Sequence, residues 1–184
     1  MKSLFTVHGG EYLVGSFIER HYRRLNVWIP ARDTGVDLLV SDRRNLNALS
    51  LQVKFSKDFL VDMGLRGAAF QKQLRAWSWW TIDRNKLQSS PADLWVLVLL
   101  GSAERTTDFV IAPPGELWRK LRRIHGSPKT IQSYLCVTKR ERCWETRGLK
   151  RKEQDRIVNG EFRESRRDFT KWLNNWTPIA TLNK

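Results

Sequence analysis

Apolar and polar positions recur along this chain with two different periods, and each change of period marks an element. In "GEYLVGSFIERHYRRL", residues 10–25, Leu13, Val14, Phe17, Ile18, Tyr22 and Leu25 gather on one side at the spacing of an amphipathic helix. Glu19 and Arg23 fall opposite, and Glu11 lies at the margin of the apolar face, about 70° from its centre at 100° per residue. The period then shortens to two. "NVWIPA" predicts a short strand closed by Pro30, and "VDLLVSD" and "ALSLQVKFS" predict a hairpin joined through the polar "RRNLN". A helix is expected over much of residues 65–84, "LRGAAFQKQLRAWSWWTIDR". "ADLWVLVLL", residues 92–100, is a nearly continuous apolar run, the pattern of a strand buried on both faces. "DFVIAP" predicts another strand, and Pro113 and Pro114 open a helix, "GELWRKLRRIHG", that ends at Gly126. A strand pair follows at "IQSYLCVT" and "RCWETR". Beyond Gly148, "LKRKEQDRIV" and "FRESRRDFTKWLNNW" predict two charged helices broken at Asn159-Gly160.

This order defines an α/β domain with a mixed sheet. A chain of 184 residues, 41% hydrophobic, suits one domain with its own core. The expected division is a body at 1–147 and a basic helical C-terminal extension at 148–184, whose Phe162, Phe169, Trp172 and Trp176 imply docking on that body. No apolar run approaches the roughly 20 residues that cross a bilayer, so no membrane partner is expected. The opening residues lack the apolar stretch of a secretion signal. Cys136 and Cys143 form no CxxC pair, which fits a reduced cytoplasmic compartment and argues against a disulfide scaffold or a structural zinc site.

Strand parity gives the hairpin its chemistry. Asp37, Leu39 and Ser41 share one face of its first strand, and Ser50, Gln52 and Lys54 share one face of its second. Placing Asp37 across from Gln52 centres the hairpin between Arg44 and Asn45, inside the polar stretch. An acid, an amide and an amine then meet at one end of the sheet. A carboxylate, a side-chain carbonyl and the Val53 backbone carbonyl are oxygen ligands for a hard cation such as Mg²⁺ or Mn²⁺. Such an ion positions water for in-line attack on a phosphodiester, and an ammonium group beside it stabilises the developing charge.

Charge supplies the substrate class. Lys and Arg number 33 against 19 acids, a net +14, and such a field concentrates polyanions, nucleic acid above all. Candidate phosphate contacts are Arg43 and Arg44 in the hairpin turn, Lys57, and Arg119, Arg122 and Arg123 in "RKLRR", with Gln71 and Arg75 on the expected second helix. The nine tryptophans suit stacking on bases, although aromatics at such spacings are mostly core. Asp33 reads as a turn residue and His8 as a surface or capping residue. Ser50 and Cys143 lack a base partner for nucleophilic catalysis.

"GVD", some fifteen residues, then "QVK", together with the preceding helix and the later buried strand, resembles the PD-(D/E)XK nuclease superfamily over roughly residues 9–112. The resemblance implies a restriction-endonuclease-like αβββαβ core. It assigns Asp37 and Gln52 to metal binding, Lys54 to catalysis, and a further carboxylate to the first helix. "GSFIER" offers Glu19 for that role and "GGEYLV" offers Glu11; the helical wheel favours Glu11, which borders the packed face. Gln52 departs from the usual acid and weakens attraction for Mg²⁺. The expected function is a Mg²⁺-dependent endonuclease acting on duplex or branched DNA, with RNA open and a homodimer plausible for cutting two strands. The rivals are a catalytically inactive DNA-binding or assembly subunit of the same fold, and a regulatory protein whose basic tail meets an acidic partner.

Overall fold

The computed structural model describes residues 4–32, 34–56, 58–59, 68–101 and 106–183. The chain opens with α1 (Leu4–His21), then runs through β1 (Leu25–Trp28), β2 (Leu38–Asp42) and β3 (Ala48–Ser56). A single turn, α2 (Ala68–Gln71), leads into β4 (Leu74–Asp83) and α3 (Arg84–Gln88). There follow β5 (Leu94–Gly101), β6 (Thr106–Ala112), α4 (Pro114–His125), β7 (Thr130–Thr138), β8 (Cys143–Glu145) and α5 (Arg151–Asn159). The C-terminal segment consists of short 3-10 turns and α6 (Thr177–Ala180).

Two sheets result. The larger has the order β1-β2-β3-β5-β6 and is mixed: β3 and β5 run parallel, and the other neighbours antiparallel. The smaller, β4-β7-β8, is antiparallel. The molecule is thus mixed α/β, as the alternation of periods implies. β5 behaves as its unbroken apolar run requires. Val96 and Val98 enter a core shared with Val14 and Ile18 of α1, while Trp95, Leu97 and Leu99 enter one shared with Trp80 and Ile82 of β4 and Leu117 of α4. A third core lies on the outer face of the small sheet, where Trp77 and Trp144 meet Ile157 and Val158 of α5.

The helix expected over 65–84 is corrected. Among the described residues only Ala68–Gln71 and Arg84, the first residue of α3, are helical there, and Leu74–Asp83 is a ten-residue strand. Near its start β4 is buried on both faces, with Ala76 inward and Trp77 outward, while beyond it Trp80 and Ile82 stay buried and Trp79 and Thr81 are exposed. Burial on both faces at Trp77 and an apolar ring left on the exposed face at Trp79 together erase the alternation that identifies a strand. A second sheet, rather than a helix, therefore covers the β5 side of the large sheet.

The second C-terminal helix is also corrected. Residues 162–176 form irregular backbone with 3-10 turns at Ser165–Arg167 and Thr170–Trp172. Its large side chains go to different places: Phe162 to the outer core, Phe169 and Trp172 to the core between the sheets, Trp176 to the α1 core. One helical face cannot serve three directions. Its backbone instead bonds the body, with Phe169 N–H donating to Cys143 O at 2.8 Å and Asn174 N–H to Phe109 O at 2.6 Å. The docking of the four aromatics is as expected, and all four are buried.

Candidate functional site

The hairpin positions the site. Leu38 pairs with Leu51 and Val40 with Leu49, so the register centre falls between Arg44 and Asn45. Asp37 N–H donates to Leu51 O at 2.8 Å, continuing the ladder and setting Asp37 across from Gln52. Just upstream Gly35 turns the chain at φ 85°, a left-handed conformation that suits glycine. A Cβ there would stand 3.3 Å from Pro91 Cδ, so this turn also passes close to the loop before β5.

Three groups of β3 converge on one carboxylate oxygen. Asp37 Oδ2 accepts from Val53 N–H at 2.6 Å and from the Gln52 side-chain amide, and Lys54 Nζ lies 3.9 Å away. Because the N–H and C=O of a strand residue point the same way, the Val53 carbonyl faces this side too. Gln52 is buried, the Asp37 side chain is largely enclosed, and Lys54 is about two-fifths exposed at 40%. The site is therefore open to solvent from the lysine side. The small sheet clamps it from behind, since Trp80 Nε1 donates to Lys54 O at 3.2 Å and Lys54 Nζ lies 5.7 Å from the Trp95 ring centroid.

The amide at position 52 has a clear electrostatic consequence. It donates to Asp37, where a second carboxylate would repel it. The same side chain, turned over, presents an oxygen of the same shape. Asp37 and Gln52 can thus offer two adjacent oxygens to a hard cation, which normally completes its shell with water and substrate phosphate.

Glu11 belongs to the part of α1 that lies on β3. Gly10 packs α1 onto β3, with its notional Cβ 2.8 Å from Phe55 Cβ and 3.1 Å from Val53 Cγ1. Those side chains lie on the face opposite Gln52 and Lys54. The Glu11 carboxylate meets His8 Nδ1 at 3.0 Å. Among the described residues, no group of three His, Cys, Asp or Glu is placed to hold a metal ion. Glu19 is exposed on the far turn of α1.

The basic residues distribute over several surfaces. Arg43 and Arg44 flank a hollow of about 780 Å³ with Arg24, Leu46 and Leu182. Asp42 ties the turn beneath them. Its carboxyl is held below the ordinary range, first by the Asn47 side-chain amide and then by the Leu46 N–H. Arg119 and Arg123 line a shallow hollow of about 190 Å³ with Lys120 and Lys171, and Arg122 is exposed on the same helix. Arg75 pairs with buried Asp108 at 2.6 Å and with Glu141 at 3.2 Å. Its carbonyl abuts Gly101 at the end of β5, and its guanidinium reaches Asp108, the β6 partner of Leu99. Arg75 is thus committed to two carboxylates, one of them the fully buried Asp108. Gln71 ends α2, half-buried, and Lys57 and Asp33 lie outside the described residues.

Both cysteines are free and buried. Burial pushes the Cys136 thiol up to about 12 and the Cys143 thiol well above its ordinary value, which leaves neither as a thiolate nucleophile at neutral pH. Two groups that the sequence pattern did not single out matter here. Trp28 pairs with Leu39 on the Asp37 face of the sheet, a placement that follows from strand parity once the β1–β2 register is known. The buried Glu145, bonded to His125 at 3.1 Å and Arg167 at 2.6 Å, joins α4, β8 and the C-terminal segment; no local pattern announces it. No helix among the described residues is long and apolar enough to cross a membrane. Compared with family models, curated proteins and solved structures, the chain matches none.

Proposed function

We propose that this protein is a metal-dependent endonuclease of the PD-(D/E)XK kind, hydrolysing phosphodiester bonds of DNA at Asp37, Gln52 and Lys54. The observation that carries this reading is the convergence of the Val53 N–H, the Gln52 amide and the Lys54 ammonium on Asp37 Oδ2. Asp37 and the turned Gln52 amide would hold Mg²⁺ or Mn²⁺, beside the Val53 carbonyl. The bound ion supplies an activated water and a counter-charge for the phosphate. Lys54, at the open side of the site, contacts the scissile phosphate and neutralises the charge that builds on it. The net charge of +14 holds the polyanion against the protein.

The test is cleavage of a panel of duplex, branched and single-stranded DNA and RNA with Mn²⁺. Wild type cuts at least one DNA form, and Asp37→Ala and Lys54→Ala each lower the rate by about 100-fold or more. An intact panel, or full activity in Lys54→Ala, rejects the reading. The pairing of Glu11 with His8 and the amide at position 52 favour a second reading, a nuclease-fold module that binds DNA without cutting it. Calorimetry separates the two: the module binds DNA in a salt-sensitive way and takes up no Mn²⁺.

A further inference from the structure

Trp28 is 49% exposed, yet its one polar atom is already committed. Its Nε1–H donates to Ser41 Oγ at 3.0 Å, Ser41 Oγ donates to Asn45 Oδ1 at 2.7 Å, and Asn26 Nδ2 donates to the same oxygen at 3.0 Å. Asn45 itself is held at φ 57° in the β2–β3 turn. An exposed tryptophan ordinarily turns its N–H to water and leaves its ring free to swing. Here the indole is anchored by its edge, and the exposed part is its apolar surface. Its cross-strand partner Leu39 is also exposed, at 37%, and the next residue, Ile29, at 74%. Leu39 lies two residues from Asp37 on the same face, so Trp28 stands one strand over and about 7 Å along from the carboxylate-bearing position. The indole leans further along, toward Ser41, so the ring is of the order of one to two nucleotides from that position.

We infer that Trp28 is a stacking platform for an unpaired base, with a phosphate one or two nucleotides along the strand at Asp37, Gln52 and Lys54. The preferred substrate is then single-stranded or locally opened nucleic acid, because a base inside a closed duplex has no free face to offer. A pre-oriented ring loses little freedom on binding, and the positive charge of the molecule suits a polyanionic strand better than a neutral apolar partner. This inference rests on the reading of the Asp37 site as a phosphate site.

The experiment measures binding in EDTA by fluorescence anisotropy, with full-length wild type, Trp28→Ala and Trp28→Phe. The probes are a fluorescein-labelled oligothymidylate of about twelve nucleotides, its duplex with oligoadenylate, and an abasic strand of equal length. Trp28→Ala weakens the oligothymidylate about tenfold and changes the duplex and abasic strand by less than about twofold, while Trp28→Phe keeps most of the affinity. Equal losses on all three probes, or no loss on oligothymidylate, overturns the platform. So does sedimentation in which a wild-type dimer becomes a monomer in Trp28→Ala with strand binding unchanged, which would make β1 a self-association edge. Binding without metal is independent of hydrolysis. A protein that cuts nothing but loses strand affinity on Trp28→Ala keeps the platform and rejects the nuclease; Mn²⁺-dependent cutting with unaltered strand binding in Trp28→Ala does the reverse.

Discussion

At Gln52 a neutral amide does what an ionised acid cannot: it donates a hydrogen bond to the Asp37 carboxylate. That role predicts the behaviour of Gln52→Glu. A carboxylate there adds a charged ligand and strengthens Mn²⁺ binding by about tenfold, read by calorimetry. Without metal it removes a donor and sets two acids side by side, so the melting temperature falls in EDTA and recovers when Mn²⁺ is added. An unchanged Mn²⁺ affinity would place the ion, if any, away from position 52. Lys54 is the complementary case. Its charge is carried at the open rim, where a phosphate can reach it, while its backbone is fixed by Trp80.

Among the elements, α1 positions the sheet through adjacent glycines with opposite demands. A Cβ at Gly9 meets nothing within 4 Å, whereas one at Gly10 would press on Phe55 Cβ at 2.8 Å. Gly9→Ala should stabilise by about 0.5–1 kcal/mol through helix propensity alone. Gly10→Ala gains the same propensity but forces α1 off β3, at an overpacking cost of about 1–3 kcal/mol, for a net loss. Urea midpoints of the two variants should therefore move in opposite directions; movement in the same direction would contradict the close helix–strand approach. The consequence for the site is direct, because Val53 and Phe55 under α1 alternate with Gln52 and Lys54 on the other face.

For the molecule as a whole, the C-terminal segment is a fastener. Glu145 is fully buried and accepts from Arg167 at 2.6 Å, from His125 at 3.1 Å and from the N–H groups of Tyr134 and Arg147. Removing one partner of such a buried pair strands the other, so Glu145→Ala should cost about 3–5 kcal/mol in chemical denaturation. A loss under about 1 kcal/mol would mean that water enters the cluster. The overall charge makes a separate prediction. If Arg119, Arg122 and Arg123 each neutralise a phosphate, changing all three to Gln lowers the slope of log affinity against log salt by about 2–3. An unaltered slope would exclude these three arginines as phosphate contacts, with the Arg43 and Arg44 hollow the next to test.

Local pattern was sufficient for the parts of this protein that are buried on one side. It is enough to read α1 as a helix, and to read the hairpin register from the polar turn, which the Leu38–Leu51 pairing matches. It also identifies the doubly covered β5, where an unbroken apolar run is short enough to be a strand. The meeting of Asp37, Gln52 and Lys54 follows from that register, because strand parity and a known centre leave no freedom. Period fails where apolar rings fall on both faces of a strand and the segment carries no such run. The same Trp77, Trp79 and Trp80 that suggest a helix belong to β4, and only its pairing with β7 decides the matter. It fails again at 162–176, where aromatics diverge into three cores. Which face a helix covers, and which distant carboxylate meets Arg167, depend on contacts between segments far apart in the chain, and packing in three dimensions alone sets those.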